Sequence, residues 1–292
     1  MKTRNNLLVG VSGGPDSMYL LFWLQQIFQN TQIIVASVNY KTRLESDKEI
    51  ELVEKYCKKH KIIFESAVYD ARNSTKNFEN WARVKRYEFF NKIYKKYQCF
   101  ALYLGHHKDD FLETCIMQKR SKRLPIFWGI KEVNFLNEMN IVRPFLHLFF
   151  KTQILKKIHD FNIPYMNDSS NDFDVYTRNS IRLEIKDWSF EQKNILINSY
   201  KKLNEENKVL ESKINYDFKL WEQSNFDNRV FKKMKNQEKL MFKYIHQNYS
   251  NIKLSSRKLD SILHWYLMQK GTGKYLIKSN VFIFKVKGCL IN

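Results

Sequence analysis

Along the first half of the chain, short apolar runs alternate with longer stretches in which apolar residues recur every three or four positions. The runs at 7–11, 33–38, 62–68 and 100–104 end at polar or glycine-containing turns, as expected of buried strands. The segments between them, near 16–28, 45–60, 78–97 and 109–119, carry helical periodicity. Strands spaced by helices of this length predict βαβ units and an α/β fold built on a parallel twisted sheet flanked by helices. Ligands of such sheets bind beyond the carboxyl ends of the strands, and residues 12–17 and 105–110 both fall at such ends. From about 187 to 228 the pattern turns helical, polar and charged without Gly or Pro, which predicts a connecting arm. The remainder begins helical, with Leu240, Tyr244 and Ile245 and then Leu259, Leu263 and Leu267 at helix spacing. It ends in a hairpin pattern turning at Ser279 and Asn280. The expected organisation is an α/β domain at 1–186, a helical arm at 187–228 and a small α+β domain at 229–292.

Composition sharpens this picture. With 43% hydrophobic residues, 292 residues are enough for a sizeable domain and a smaller one. No apolar run approaches the roughly 18 residues of a membrane span. The opening MKTRNN passes into a strand with no signal-peptide pattern, so a cytoplasmic location and no membrane partner are expected. Cys57, Cys99, Cys115 and Cys289 are scattered, which points to inert thiols and away from a disulfide framework or zinc knuckle. The net charge is +20, and it is uneven: residues 229–292 hold 14 basic and 2 acidic residues, against 36 and 28 in the first 228. A general Lys-rich bias does not remove acids from one end, so the C-terminal domain is expected to meet a nucleic acid.

The first candidate for chemistry is LLVGVSGGPDS at 7–17. A strand, a Ser-Gly-Gly turn and a helix start present backbone N–H groups and a positive dipole end to an anion. Gly13 and Gly14 allow close approach, Ser12 and Ser17 add hydroxyls, and Asp16 offers a carboxylate for Mg²⁺ beside phosphate oxygens. The loop has no Lys, so it is not the GxxxxGK[ST] phosphate loop, and alone it also reads as an ordinary βα turn. The GTGK at 271–274 lacks the spacing of such a loop and reads as a turn.

The second candidate is GHHKDDFLETC at 105–115. Asp110, Glu113 and Thr114 share a helix face, and His106, His107 and Asp109 lie at its start. The spacing is not that of a zinc site; it suits Mg²⁺, with a dipole-stabilised solvated helix start as the plain alternative. The third is FENWARVKRYEFF at 78–90, where Glu79, Arg83 and Arg86 are four and three apart, for helix pairing or for a phosphate or base. The fourth is the polar cluster of Asp168, Asn171, Arg178, Asn179 and Arg182, with Arg178 and Arg182 one turn apart as an anion clamp.

SGGPDS matches the SGGxDS loop of the N-type ATP pyrophosphatases, the PP-loop superfamily. In order along the chain, SGGPDS, NYKTRLESDKE, ENWAR with RY, GHHKDDFLET, RPFL, and DSSN with RNSIR closely resemble the tRNA(Ile)-lysidine synthases. The resemblance covers residues 9 to about 185, with a weaker likeness around LSSRKLDSIL at 254–263. It implies an adenine nucleotide alpha hydrolase-like PP-loop domain at 1–186 and a tRNA-contacting domain at 229–292. It implies a ligase that uses ATP and Mg²⁺ to transfer AMP to the wobble cytidine of a CAU-anticodon tRNA(Ile). Free L-lysine then forms a carbon–nitrogen bond at carbon-2, releasing AMP. The implied site comprises Ser12, Gly13, Gly14, Pro15, Asp16 and Ser17 for the nucleotide, and Asp16 and Asp110 for Mg²⁺. Catalysis would fall to Asp16, Asp110 and Arg178. Substrate contacts would come from Arg43, Glu79, Arg83, Arg86, His106, His107, Asp109, Glu113 and Arg182. Three departures stand out: Ser37 and Tyr40 occupy histidine positions of the family, KRSKRLPIFWG replaces a glycine-rich stretch, and Ser169 replaces a proline. A tRNA thiolase would share the loop but need a cysteine pair. An amide ligase would leave the basic tail unexplained, and a non-catalytic RNA-binding protein would not account for an intact loop with carboxylate partners.

Overall fold

The structure, a computed structural model, describes residues 6–42, 45–70, 78–121, 125–166, 177–249, 252, 254–268 and 271–291. It divides into two compact units, Met1–Leu203 and Asn204–Asn292. The first unit opens with β1 (Asn6–Gly10), α1 (Pro15–Ile27), β2 (Gln32–Asn39), α2 (Glu45–Lys59), β3 (Ile63–Val68), α3 (Phe78–Lys96), β4 (Leu102–Tyr103) and α4 (Lys108–Arg120). These are the strands and helices the apolar pattern predicts, with ends shifted by a few residues. An unpredicted hairpin follows, β5 (Val133–Leu136) and β6 (Met139–Val142), then a 3-10 turn (Pro144–Leu146), α5 (Lys151–Asp160) and α6 (Thr177–Ile185). The sheet order is β3-β2-β1-β4-β6-β5, parallel throughout except for the antiparallel edge strand β5.

β1 is apolar without alternation because both of its faces are covered, as in parallel sheets generally. Leu7 and Val9 point into one core with Met18, Leu20, Leu21 and Leu24 of α1 and Ile154 and Ile158 of α5. Leu8 joins Ile34, Ala36 and Leu102 in the opposite core, against Tyr87, Phe90, Ile93 and Tyr94 of α3. A third cluster joins α4 (Phe111, Leu112, Cys115) to Ile181 and Ile185 of α6 and to Ile197 and Tyr200 of α7 (Phe190–Gln223). That packing places the start of α7 in the first unit, so the division between units falls inside this helix, at Leu203. All four cysteines are free; burial pushes the Cys57 and Cys99 thiols up to about 12.

The second unit holds the rest of α7, then α8 (Asn228–Phe231), α9 (Gln237–Asn248), α10 (Ser256–Met268), and an antiparallel sheet of β7 (Gly273–Lys278), β8 (Val281–Val286) and β9 (Cys289–Ile291). The expected hairpin is present, turning at Asn280 in the left-handed region; β9 is an addition. Trp221 organises this core. It is fully buried, its ring centroid lies 4.4 Å from Phe231 and 5.0 Å from Phe226, and its indole N–H donates to the Tyr266 hydroxyl at 3.1 Å. Lys285 is also buried, with Nζ 3.3 Å from the Tyr266 carbonyl in the last turn of α10, where intrahelical donors are lacking. Trp221→Ala is expected to cost about 3–5 kcal/mol by cavity formation. Denaturant unfolding of the full chain measures it; a loss below about 1 kcal/mol would contradict the central place of this ring.

Candidate active site

β1 is the point at which the sheet changes direction. The chain runs to β2 and β3 on one side of β1, then returns to β4 on the other. The loops after β1 and β4 therefore leave in diverging directions and flank a crevice, the usual ligand position in open α/β sheets. Glycines set how closely the loops approach. A Cβ on Gly105 would lie 2.9 Å from the Asp16 carbonyl oxygen, so the β4–α4 loop rests on the first turn of α1. Gly13 adopts φ +87, and its Cβ would meet Glu49 at 3.2 Å.

Gly14 is the N-cap of α1 and Pro15 its first residue, so the free N–H groups of the first turn open toward the crevice. The loop is braced from within. The Ser12 N–H donates to Ser17 Oγ at 3.1 Å, and Ser17 Oγ donates to the Gly14 carbonyl at 3.0 Å. Ser37, at a histidine position of the resembling family, is buried and donates to the Val11 carbonyl at 2.7 Å. Tyr40, at the other such position, donates to the Ala82 carbonyl at 2.7 Å and packs edge-on against Phe78 and Trp81. Both departures thus serve as braces at the rim of the site.

Opposite the loop, α4 delivers a dense ionic cluster. His107 is the N-cap of α4, and its backbone N–H donates to Asp110 Oδ2 at 2.9 Å. The His107 ring lies 3.5 Å from both Asp109 and Asp110 and 3.8 Å from Asp16. Burial alone would depress its pKa, but these carboxylates outweigh it and push it up to about 9. His106 has less compensation, and burial brings it down to about 4. Burial opposes ionisation of Asp109, yet His107, the Lys151 backbone N–H at 2.9 Å and Lys193 Nζ at 3.1 Å hold it well below the usual range. Asp110 is held down in the same sense by His107 and His106. Glu113 differs: burial raises its pKa despite Arg182, whose Nε donates to Oε1 at 2.8 Å. Asp16 accepts from Lys151 Nζ at 2.6 Å through Oδ2, while its Oδ1 is buried with no hydrogen-bond partner.

These groups line a cleft of about 780 Å³ that brings together Ser12, Gly14, Pro15, Asp16, Ser17, Arg86, His106, His107, Asp109, Asp110, Glu113 and Arg182. Three expected residues do not line it. Gly13 faces away, its carbonyl accepting from the Met166 N–H at 3.0 Å. Arg83 is exposed, with its guanidinium 4.8 Å from the Tyr87 ring. Arg178 is not among the lining residues, though its charge favours the ionised form of Asp110. Arg43, Asp168, Ser169 and Asn171 lie outside the described residues, as does the side chain of Glu79. The sequence reading missed Lys151 and Lys193, which supply the cations on Asp16 and Asp109. Lys151 follows RPFL at a helix start, a position that periodicity alone does not single out.

Among the described residues, no group of three or more His, Cys, Asp or Glu side chains is arranged to hold a metal ion. A buried carboxylate oxygen with no donor, beside a phosphate-type loop, fits a cation that takes few protein oxygens and completes its shell from phosphate and water.

Residues 1–188 match the PP-loop domain family. The chain is 38% identical to tRNA(Ile)-lysidine synthase of Mesomycoplasma hyopneumoniae, over 98% of this chain and 95% of that protein. It is 39% identical to the enzyme of the same name from Mycoplasmopsis pulmonis, over 96% of each. It is 32% identical to that of Mycoplasma genitalium, over 99% and 98%. Among solved structures, the U34-tRNA thiolase from Methanococcus maripaludis shares the fold, with a TM-score of 0.57 at 16% identity over 68% of this chain and 72% of that one. A PP-loop crevice with its phosphate-type loop and facing carboxylates, in a chain matched end to end by such relatives, leads to one assignment: the chain belongs to the tRNA(Ile)-lysidine synthase family.

Proposed function

We propose that the protein joins free lysine to carbon-2 of the wobble cytidine of a CAU-anticodon tRNA(Ile), using ATP. The reading is carried by the crevice at the β1/β4 switch point, where a braced loop at a helix N-terminus faces buried carboxylates, in a chain of this family. In the first step the carbon-2 oxygen of cytidine attacks the α-phosphorus of ATP and diphosphate departs. In the second, the lysine ε-amine attacks carbon-2, the carbon–oxygen bond breaks, and AMP leaves.

Each residue's part follows from its surroundings. The free N–H groups of the 12–17 loop and the Ser12 hydroxyl, joined by the Ser17 hydroxyl once it turns from the Gly14 carbonyl, would hold the departing diphosphate, assisted by the α1 dipole. Asp16 and Asp110 would hold Mg²⁺, which when bound neutralises charge on the phosphates. Lys151 and Lys193 pair with Asp16 and Asp109 and would add positive charge beside the triphosphate. Arg182 orients Glu113, and Arg178 supports Asp110. The lysine amine must lose a proton before or during attack. Glu113 is the carboxylate suited to take it, because burial raises its affinity for protons and its Oε2 accepts no hydrogen bond. Arg86, beside Tyr40, and Arg83, with Arg43 and Glu79, belong to the substrate side of this proposal. The domain limits 1–186, 187–228 and 229–292 belong to it as well, with the basic last segment gripping tRNA phosphates. A thiolase reading has less support: Cys57, Cys99 and Cys115 are buried with raised thiol pKa values, the opposite of a reactive cysteine.

With ATP and labelled lysine, tRNA(Ile) transcripts carrying a wobble cytidine are expected to incorporate label, and transcripts with a wobble uridine are not. Incorporation that ignores the wobble base, or that prefers cysteine or ammonia to lysine, would sink the reading. Asp16→Ala is expected to lower AMP formation by about 10²-fold or more, while tRNA affinity measured by filter binding stays within about twofold. AMP formation near the wild-type rate would contradict the part given to Asp16.

A further inference from the structure

The outer face of the β7–β8–β9 sheet is an aromatic surface that the second unit does not cover. Alternation along the strands sends Ile277, Ile283, Lys285 and Leu290 inward. It leaves Leu276 47%, Phe284 43% and Ile291 44% exposed on the other side. Register makes these residues one patch. Leu276 pairs with Phe282, Lys274 with Phe284, and Phe284 with Ile291. The Phe282 and Phe284 rings lie 6.3 Å apart, and Lys274 Nζ sits 5.2 Å from the centre of the Phe282 ring. Residues 271–291 contain three exposed lysines, Lys274, Lys278 and Lys287, beside the buried Lys285, and no acidic residue.

We propose that this face is a stacking platform for unpaired nucleotides of tRNA, an inference that rests on the tRNA substrate proposed above. Flat rings beside ammonium groups on an open sheet suit the two parts of a single strand, bases against Phe282 and Phe284 and phosphates against Lys274 and its neighbours. A second copy of this chain is the poorer occupant. Joining the face to itself would bring lysines of both copies together with no carboxylate in 271–291 to meet them. A base-paired stem is also a poorer fit, because its bases are already stacked and present no free face to a ring.

The test uses the full chain with a fluorescent single-stranded RNA of about 12 nucleotides and a blunt RNA duplex of the same length, read by anisotropy. Phe284→Ala is expected to weaken single-strand binding by about 5- to 100-fold and to leave duplex binding within about twofold. Phe284→Trp should restore single-strand binding. Lys274→Ala should lower the slope of log affinity against log salt by about 0.7. Because Phe284 is a surface residue, far-UV circular dichroism of the variants should match wild type. Single-strand binding by folded Phe284→Ala equal to wild type overturns the proposal. So does a wild-type dimer that Phe284→Ala dissociates without changing RNA affinity. Lysine incorporation by wild type, run in parallel, separates the two readings. If incorporation succeeds and Phe284 has no effect, only the platform fails. If incorporation fails while Phe284 still governs RNA binding, the platform stands and the lysine reading falls.

Discussion

The site depends on one steric constraint, the contact between the Gly105 backbone and the first turn of α1. No side chain fits there, since a Cβ would lie 2.9 Å from the Asp16 carbonyl oxygen. The contact locks two loops that leave the sheet on opposite sides of the switch point. Asp16 stands in the first turn of α1, and His107, Asp109 and Asp110 stand at the start of α4, so their separations depend on this backbone contact. Preorganisation of this kind matters for a site that stabilises charge as a phosphate bond breaks, because no reorganisation is then needed during reaction.

The electrostatics follow from that geometry. Four carboxylates meet in a partly buried space, an arrangement that like-charge repulsion would make untenable alone. His107 carries a proton because it sits among Asp16, Asp109 and Asp110, and Lys151, Lys193 and Arg182 each hold a different acid. Asp16 Oδ1 and Glu113 Oε2 are left over, as buried acceptors without donors. Unpartnered buried oxygens are costly in a resting protein and are retained where a ligand satisfies them. One lies beside the phosphate-type loop and the other on α4.

Much of this was legible before folding. The strand runs at 7–11 and 33–38 are continuous apolar segments, and burial on both faces is the reason, so their place in a parallel sheet could be read directly. SGGPDS and GHHKDD stood at strand ends, and both line the crevice. The hairpin of β5 and β6 was not legible. Its exposed edge, with Val133 and Phe135 facing outward, lacks the alternation that marks a half-buried strand. Lys151 and Lys193 were invisible for another reason. One lies 135 residues from the carboxylate it meets and the other 84, and no local pattern encodes such a pairing.

By itself, then, the sequence determined the order of the first four strands and helices, the phosphate-type loop and the concentration of positive charge beyond residue 229. These depend on local periodicity, on backbone freedom at glycine and on composition, all written within a few residues of each other. Tertiary structure decided which acids are paired, which oxygens are left open, that Arg86 lines the cleft while Arg83 lies over the Tyr87 ring, and that Phe282 and Phe284 share an uncovered face. Those outcomes turn on distances between segments remote in the chain and on the water each group loses when they meet.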